Sequence, residues 1–415
     1  MTWPLVTVDQ IKAKKRYSLV GGPFGSNLVT KDYRDDGVPV IRGGNVPGDK
    51  AFSFDDLVFV SEEKADQLLP NNAFPGDLVV TQRGTLGQVG LIPLDSPYPR
   101  FVISQSQMKL TVDPQIASAK FVYYYFCLPE SVQRVKNQAT TSGVPHINLE
   151  ILKRFELPLP SLREQARIAA ILSAYDDLIE NNRRRIQLLE QAARLIYQEW
   201  FVRLRYPGHE HVRVVDGGLP EGWKKVTMVD VCQAIGGGTP DTKNPAYWEG
   251  GEITWVIPSD ITQNDCLVLL DSQRKITEAG LQNSSAKLLP PETILMTSRA
   301  SVGFFGLIDR EVCTNQGFIA VIPNSENLRM YLLFNLFGRR DEILQNAKGT
   351  TYLEINKATF RRMSVTIPDE KLLEEFREQV SPLIKQVRLL KRQVEKLKQA
   401  RDLLLPKLMS GEIEV

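Results

Sequence analysis

Arg83 and Arg299 sit in similar surroundings: each follows a β-like run and precedes a glycine-containing turn, where a side chain could project toward a groove. Short polar turns rich in Thr, Ser, Gln and Asn lie nearby. Arginine matches the paired acceptors of a guanine edge, and Gln or Asn matches the donor and acceptor of adenine, so these are the groups that direct base readout requires. The same side chains could equally stabilise their own loops, with each arginine capping its turn.

Other residue groups suggest chemistry without completing it. Adenine amino methylation wants an Asp/Asn-Pro-Pro-aromatic loop, which supplies an acceptor and a stacking ring for a flipped base. Pro290-Pro291-Glu292 lacks both flanking partners. The glycine clusters at Gly21 and Gly236 lack the spacing and strand-to-helix setting of a phosphate or cofactor fingerprint, and read as turns. Pro240-Asp241 and Pro368-Asp369 could begin a nuclease signature, but no acidic-x-Lys strand follows at suitable spacing. His209-Glu210-His211 has no third ligand nearby, so no metal site is expected. His146 lies in a repeated turn, where it could touch DNA or brace the loop.

At 415 residues and 42% hydrophobic content, the chain can bury more than one core, and two or three domains are expected. No apolar run approaches the roughly 18 residues needed to cross a bilayer, and no signal-peptide order opens the sequence; no membrane association and a cytoplasmic location are expected. Cys127, Cys232, Cys266 and Cys313 are widely separated and read as reduced core thiols. A net charge of +2 neither demands nor excludes nucleic acid. From Lys385 to Arg401, Lys385, Arg388, Lys391, Arg392, Lys396, Lys398 and Arg401 face one acid, Glu395; this run reads as a solvated helix face ahead of a phosphate-binding one.

The elements that would position these turns are duplicated. Trp3 and Trp223 open two copies, each followed by a glycine turn, at Gly21-Gly22-Pro23 and at Gly236-Gly237-Gly238. Gly76 to Ile92 runs parallel to Glu292 to Ile308 at a shift of 216 residues without gaps. Thr140 to Asn148 matches Gly349 to Asn356 at a shift of 208, and the copies close at Pro160 and Pro368. Within the copies, β-branched runs alternate with Gly, Pro and Asn, and helical patterns are few outside Phe121 to Lys136 and Arg329 to Gln345.

After each copy comes a sustained heptad. The first places Ile168, Leu172, Tyr175, Ile179, Asn182, Ile186, Leu189, Ala193, Ile196 and Trp200 on one seam. The second does the same with Phe376, Val380, Leu383, Val387, Leu390, Val394, Leu397, Arg401, Leu404 and Leu408, with Pro382 and Pro406 as tolerated breaks near its ends. Two such seams in one chain can satisfy each other as an antiparallel pair, and the polar Asn182 and Arg401 read as register-setting residues. The expected fold is α+β: two pseudo-repeated mixed α/β domains separated by two long antiparallel helices that form a coiled coil. The expected boundaries are 1–160 and 222–368 for the repeated domains, 161–204 and 369–415 for the helices, and 205–221 for a turn-rich linker.

The segments LREQARIAAIL (Leu162 to Leu172), IENNR (Ile179 to Arg183), EWF (Glu199 to Phe201) and LLLPKLMSGEI (Leu403 to Ile413), taken with the duplication, resemble the specificity subunit of Type I restriction-modification systems. The resemblance covers nearly the full chain. It implies a non-catalytic subunit in which each target-recognition domain reads half of a bipartite double-stranded DNA site. The helices would set the spacer and dock two methyltransferase subunits. It also implies that no cofactor is bound by this chain: S-adenosylmethionine would sit on the methyltransferase partners, and ATP with magnesium on two restriction subunits.

The polar turns then supply the DNA-binding candidates. In the first domain they are Thr81, Gln82, Arg83, Thr85, Ser104, Gln105, Ser106 and Gln107, with His146. In the second they are Thr297, Ser298, Arg299, Ser301, Thr314, Asn315 and Gln316, with Thr350, Thr351 and Tyr352 as backbone clamps. Two other readings stay open on the residues alone. One is a self-sufficient DNA modification enzyme with atypical motifs, which would bind S-adenosylmethionine itself; the other is a coiled-coil adaptor, which would leave the duplicated domains without a use.

Overall fold

A computed structural model describes residues 3–140, 145–215, 218–349 and 351–415. The chain divides into two units, Met1–Leu178 with Leu397–Val415, and Ile179–Lys396.

In the first unit, an antiparallel sheet runs in the order Leu19–Gly21, Gln107–Leu110, Leu78–Thr81, Val89–Leu91. A second sheet orders Val58–Val60, Val38–Ile41, Phe101–Ile103 and Asn72–Ala73, with its two middle strands parallel. Leu5–Thr7 pairs with Glu156–Pro158. Strand Leu78–Thr81 is buried along its whole length, so Leu78, Val79 and Val80 are apolar in succession rather than alternating with polar residues.

The second unit repeats this plan. Cys232–Gly236, Phe318–Pro323, Ile294–Thr297 and Phe305–Leu307 form the antiparallel sheet. Lys275–Ile276, Ile253–Val256 and Cys313–Thr314 form the other, and its last two strands are again parallel. Lys224–Thr227 pairs with Ser364–Ile367, as Leu5–Thr7 does with Glu156–Pro158. Both halves are therefore mixed α+β.

The expected helical stretches in the two halves are each broken in two. Ala119–Cys127 is followed by Pro129–Asn137, because Leu128, preceding a proline, is held extended at ψ 134°. Glu326–Gly338 is likewise separated from Arg340–Asn346 by the non-helical Arg339.

The first long helix, Leu162–Tyr197, starts with a reciprocal cap: Glu164 N donates to Ser161 Oγ at 3.3 Å, and Ser161 N donates to Glu164 Oε2 at 2.9 Å. It runs into a π-helical turn, Gln198–Val202. The second, Glu370–Met409, is capped by Asp369 and continues through both Pro382 and Pro406, so neither proline breaks it. Within the second unit, Asn182 faces Gln393 and Trp200 faces Phe376, which fixes the helix segments there as antiparallel. Within the first, Asp176 faces Arg401.

Most expected seam residues are buried, including Ile168, Leu172, Ile179, Asn182, Ile186, Ala193, Phe376, Val380, Val387, Leu390, Val394 and Leu408. Tyr175, Leu189, Ile196, Trp200, Leu383, Leu397, Arg401 and Leu404 are half-buried. Toward the ends the seam drifts, so Tyr197 and Phe201 replace Ile196 and Trp200, while Ile384 and Leu405 replace Leu383 and Leu404. A straight α-helix slips about 20° per heptad, and the ends of both helices also pack into globular cores rather than only onto each other.

The basic run on the second helix is a solvated face only in part: Lys385 and Lys396 are exposed, whereas other members are paired. Arg388 lies 2.5 Å from Glu292 and 3.6 Å from Asp309, Arg392 pairs with Asp309, and Lys391 pairs with Asp265. Only 14% of the Arg388 side chain is exposed. These cations clamp the helix to loops of its own unit. Arg401 behaves likewise in the first unit: its Nη1 donates to Asp176 Oδ1 at 2.6 Å, and Asp176 Oδ2 accepts from the Tyr124 hydroxyl at 2.6 Å. Burial alone would lower the Arg401 pKa, but Asp176 and Asp402 raise it overall.

Cys232 and Cys313 are buried, Cys127 and Cys266 partly so, and all four are free thiols. Burial pushes the thiols of Cys127, Cys232 and Cys266 up to about 12. Among the described residues, no helix is long and apolar enough to cross a membrane.

Candidate nucleic-acid interface

Each unit gathers three candidate loops by the same backbone hydrogen bonds. In the first, Gln82 N donates to Ser106 O at 2.9 Å, and Ile147 N donates to Gln82 O at 3.0 Å. In the second, Ser298 N donates to Gly317 O at 2.8 Å, and Ile355 N donates to Ser298 O at 3.0 Å. The arginine turn is thereby held between the loop that follows a parallel strand and the loop that precedes a short helix. Arg83 bridges His146 across an isolated antiparallel contact, and Arg299 bridges Glu354 in the same way.

The glycine turns complete each cluster for a steric reason. A Cβ on Gly22 would lie 2.1 Å from Ser104 O, and one on Gly237 would lie 2.1 Å from Thr314 O. Only a residue without a side chain lets the backbones approach so closely. Gln105 Nε2 donates to Gly25 O at 2.5 Å, and the corresponding Gln316 accepts from Thr239 Oγ1 at 2.7 Å.

The structure sorts the candidates by exposure. Arg83, Thr85, Arg299, Ser301, Gln316, Thr351 and Tyr352 are exposed. Gln82, Ser104, Ser106, His146 and Asn315 are half-buried; Gln105 is exposed, but its amide is engaged by the glycine loop. Thr81, Gln107, Thr297, Ser298 and Thr314 are buried, so these five side chains lie beneath the loops, where the surface-contact expectation does not place them. Thr81 Oγ1 donates to Gln107 Oε1 on the neighbouring strand at 3.2 Å, and Thr297 Oγ1 accepts from Phe304 N at 2.9 Å, so the first ties two strands together and the second braces its own turn. Thr350 lies outside the described residues.

The sheet below the first cluster carries buried charge. Burial raises the Asp77 carboxyl above its ordinary range, although Thr111 and the Phe74 amide bond it, and burial lowers the Lys109 ammonium. Thr140 Oγ1 lies 2.9 Å from His146 Nδ1, a bracing contact for that ring. In the linker, His209 Nδ1 bonds Tyr206 O at 2.7 Å, and the buried Tyr206 packs on Trp223.

Two residues of the clusters escaped the sequence reading. Glu354, whose Oε2 is 3.8 Å from Arg299 Nε, stands where His146 stands in the first copy, and the 208-residue shift held that signal. Phe24, beside the first glycine turn, is 86% exposed. Hydropathy marks phenylalanine as core, so no sequence signal pointed to it.

Residues 25–191 and 220–399 match the Type I restriction modification DNA specificity domain. The chain is 27% identical over 369 residues to the Type I restriction enzyme MjaIX specificity subunit of Methanocaldococcus jannaschii, covering 85% of this chain and 81% of that one. It is 23% identical over 385 residues to the HindI specificity subunit of Haemophilus influenzae, covering 77% and 83%. The crystal structure of a Type I restriction-modification system S subunit from M. genitalium shares the fold, with a TM-score of 0.62 at 19% identity over 98% of this chain and 96% of that one. With two copies of the matching domain, each built around the same three-loop cluster, the chain belongs to the family of Type I restriction-modification specificity subunits.

Proposed function

We propose that this chain is the DNA-reading subunit of a Type I restriction-modification enzyme, in which each recognition unit reads one half of a bipartite double-stranded target. The single observation that carries this reading is the recurrence of one loop cluster in both copies, with an exposed arginine at the same place in each. Arginine at a groove-facing turn suits guanine, and the flanking hydroxyls suit phosphates. The long helices set the spacer between the half-sites and dock two methyltransferase subunits. S-adenosylmethionine binding and base flipping belong to those partners, and ATP with magnesium belongs to two restriction subunits. The chain itself is non-catalytic, binds no cofactor and works in the cytoplasm.

The test is reconstitution. The purified chain alone should neither methylate nor cleave DNA, and adding the methyltransferase subunit should produce adenine methylation at a two-part sequence. Methylation by the chain alone, free of contaminating partner, or its own binding of radiolabelled S-adenosylmethionine, overturns the reading.

A further inference from the structure

We infer that Phe24 is an apolar base contact of the first recognition unit, its ring meeting a base of the first half-site. The inference rests on the reading of this chain as a DNA-reading subunit. At 86% exposure, Phe24 is the most exposed large hydrophobic side chain among the described residues. An apolar ring gains nothing from facing water, and although single exposed apolar side chains are ordinary, this one stands beside the loops that hold the arginine turn.

The segment that carries the ring is held at both ends. Gly22 and Pro23 before it and Leu28 after it are buried. Gly22 N donates to Gln107 O at 2.8 Å, Asn27 N donates to Phe24 O at 3.1 Å, and Gln105 Nε2 reaches both Gly25 O and Leu28 O. The ring is thus presented on a fixed backbone, which lowers the ordering cost of binding. At Gly25, where φ is +54°, no atom lies within 4 Å of the place a Cβ would take, so the tip is open to a ligand.

The surroundings favour DNA over a protein partner. A protein docking site would set an aromatic anchor among apolar neighbours. Here the adjoining Ser26 and Asn27 are polar and exposed. A hydrogen-bonded path also joins Phe24 to the arginine turn: Gln82 Nε2 donates to Gln105 O at 2.5 Å, and Gln105 in turn holds Gly25, next to Phe24. A single ring among hydrogen-bonding groups matches the aromatic platforms and apolar wedges that meet bases. In the second copy the glycine turn carries Thr239, bonded to Gln316, so the contact belongs to the first half-site only.

The experiment uses the complex reconstituted with its methyltransferase partner. Binding to target duplex and methylation of a randomised-site library are compared for the wild type, Phe24→Ala, Phe24→Leu and Phe24→Tyr. Phe24→Ala should bind about ten- to a hundredfold more weakly and lose preference in the first half-site alone, with unfolding unchanged. Phe24→Tyr should retain most binding, and Phe24→Leu should fall between. Deoxyuridine in place of thymine in that half-site separates contact with the thymine methyl, which it weakens, from a wedge between bases, which it spares. Unchanged affinity and preference for Phe24→Ala overturn the inference, and so does impaired assembly with normal DNA affinity in the assembled fraction. A wild-type complex with no two-part preference overturns instead the functional reading beneath it.

Discussion

Arg299 stands across an antiparallel bridge from Glu354, with its Nε 3.8 Å from the carboxylate oxygen. Arg83 stands across the matching bridge from His146. One arginine is thus partly neutralised by its own loop, whereas the other has no ion-pair partner among the described residues. If each unit reads one half-site, as proposed, the two should be read with unequal electrostatic strength.

If the units read independently, Arg83→Ala should relax base preference in one half-site by about 1 to 3 kcal/mol and leave the other intact. Arg299→Ala should do the converse, while Glu354→Gln should strengthen DNA binding by freeing Arg299. Methylation of a randomised-site library checks all three. Preferences altered in both half-sites by one substitution would falsify independent reading.

The helices are expected to act as a ruler. One heptad inserted in the first long helix adds about 10 Å along its axis, equivalent to roughly three base pairs at about 3.4 Å each. Its unlengthened partner will absorb part of that gain by buckling. A series of targets with graded spacers should show the methylation optimum moving to a longer spacer; an assembled variant active only at the original spacing would sink the idea.

Arg401→Ala should destabilise the first unit by about 1 to 3 kcal/mol, because Asp176 loses its partly buried cation and keeps only Tyr124. Combining it with Asp176→Asn should cost less than the sum of the two single changes. Chemical unfolding of the four variants measures the coupling, and strict additivity would show that the pair does not act together.

Glu190 is buried on the first long helix, where Leu267 N donates to it and Arg194 lies 3.4 Å away. Burial raises its carboxyl above the ordinary range, so the folded state holds the proton to higher pH than the unfolded state. Its ionisation therefore opposes folding, by an amount that grows as pH rises from the usual carboxylate range through the raised value and is flat above it. Glu190→Gln removes the charge and retains an acceptor for Leu267. Its stability relative to the wild type should increase over that window, and a difference independent of pH from 4 to 8 would refute the assignment.

The duplication and the helices were legible because both are local or self-referential patterns. The 216-residue shift that equates Arg83 with Arg299 reappears as equivalent hydrogen bonds at Gln82 and Ser298. The heptads located helices of 36 and 40 residues. Which polar side chains face outward was not legible. Thr81 ends a strand and Thr85 lies in the turn that follows, yet to the sequence both are polar threonines; the first is buried and the second exposed because strand pairing and the approach of Gln107 decide burial. Arg388, Lys391 and Arg392 looked solvated because their acids, Glu292, Asp265 and Asp309, come from distant loops. Charge pattern along a helix reports only neighbours a turn away, and the partners that neutralise a buried cation are chosen by the tertiary fold.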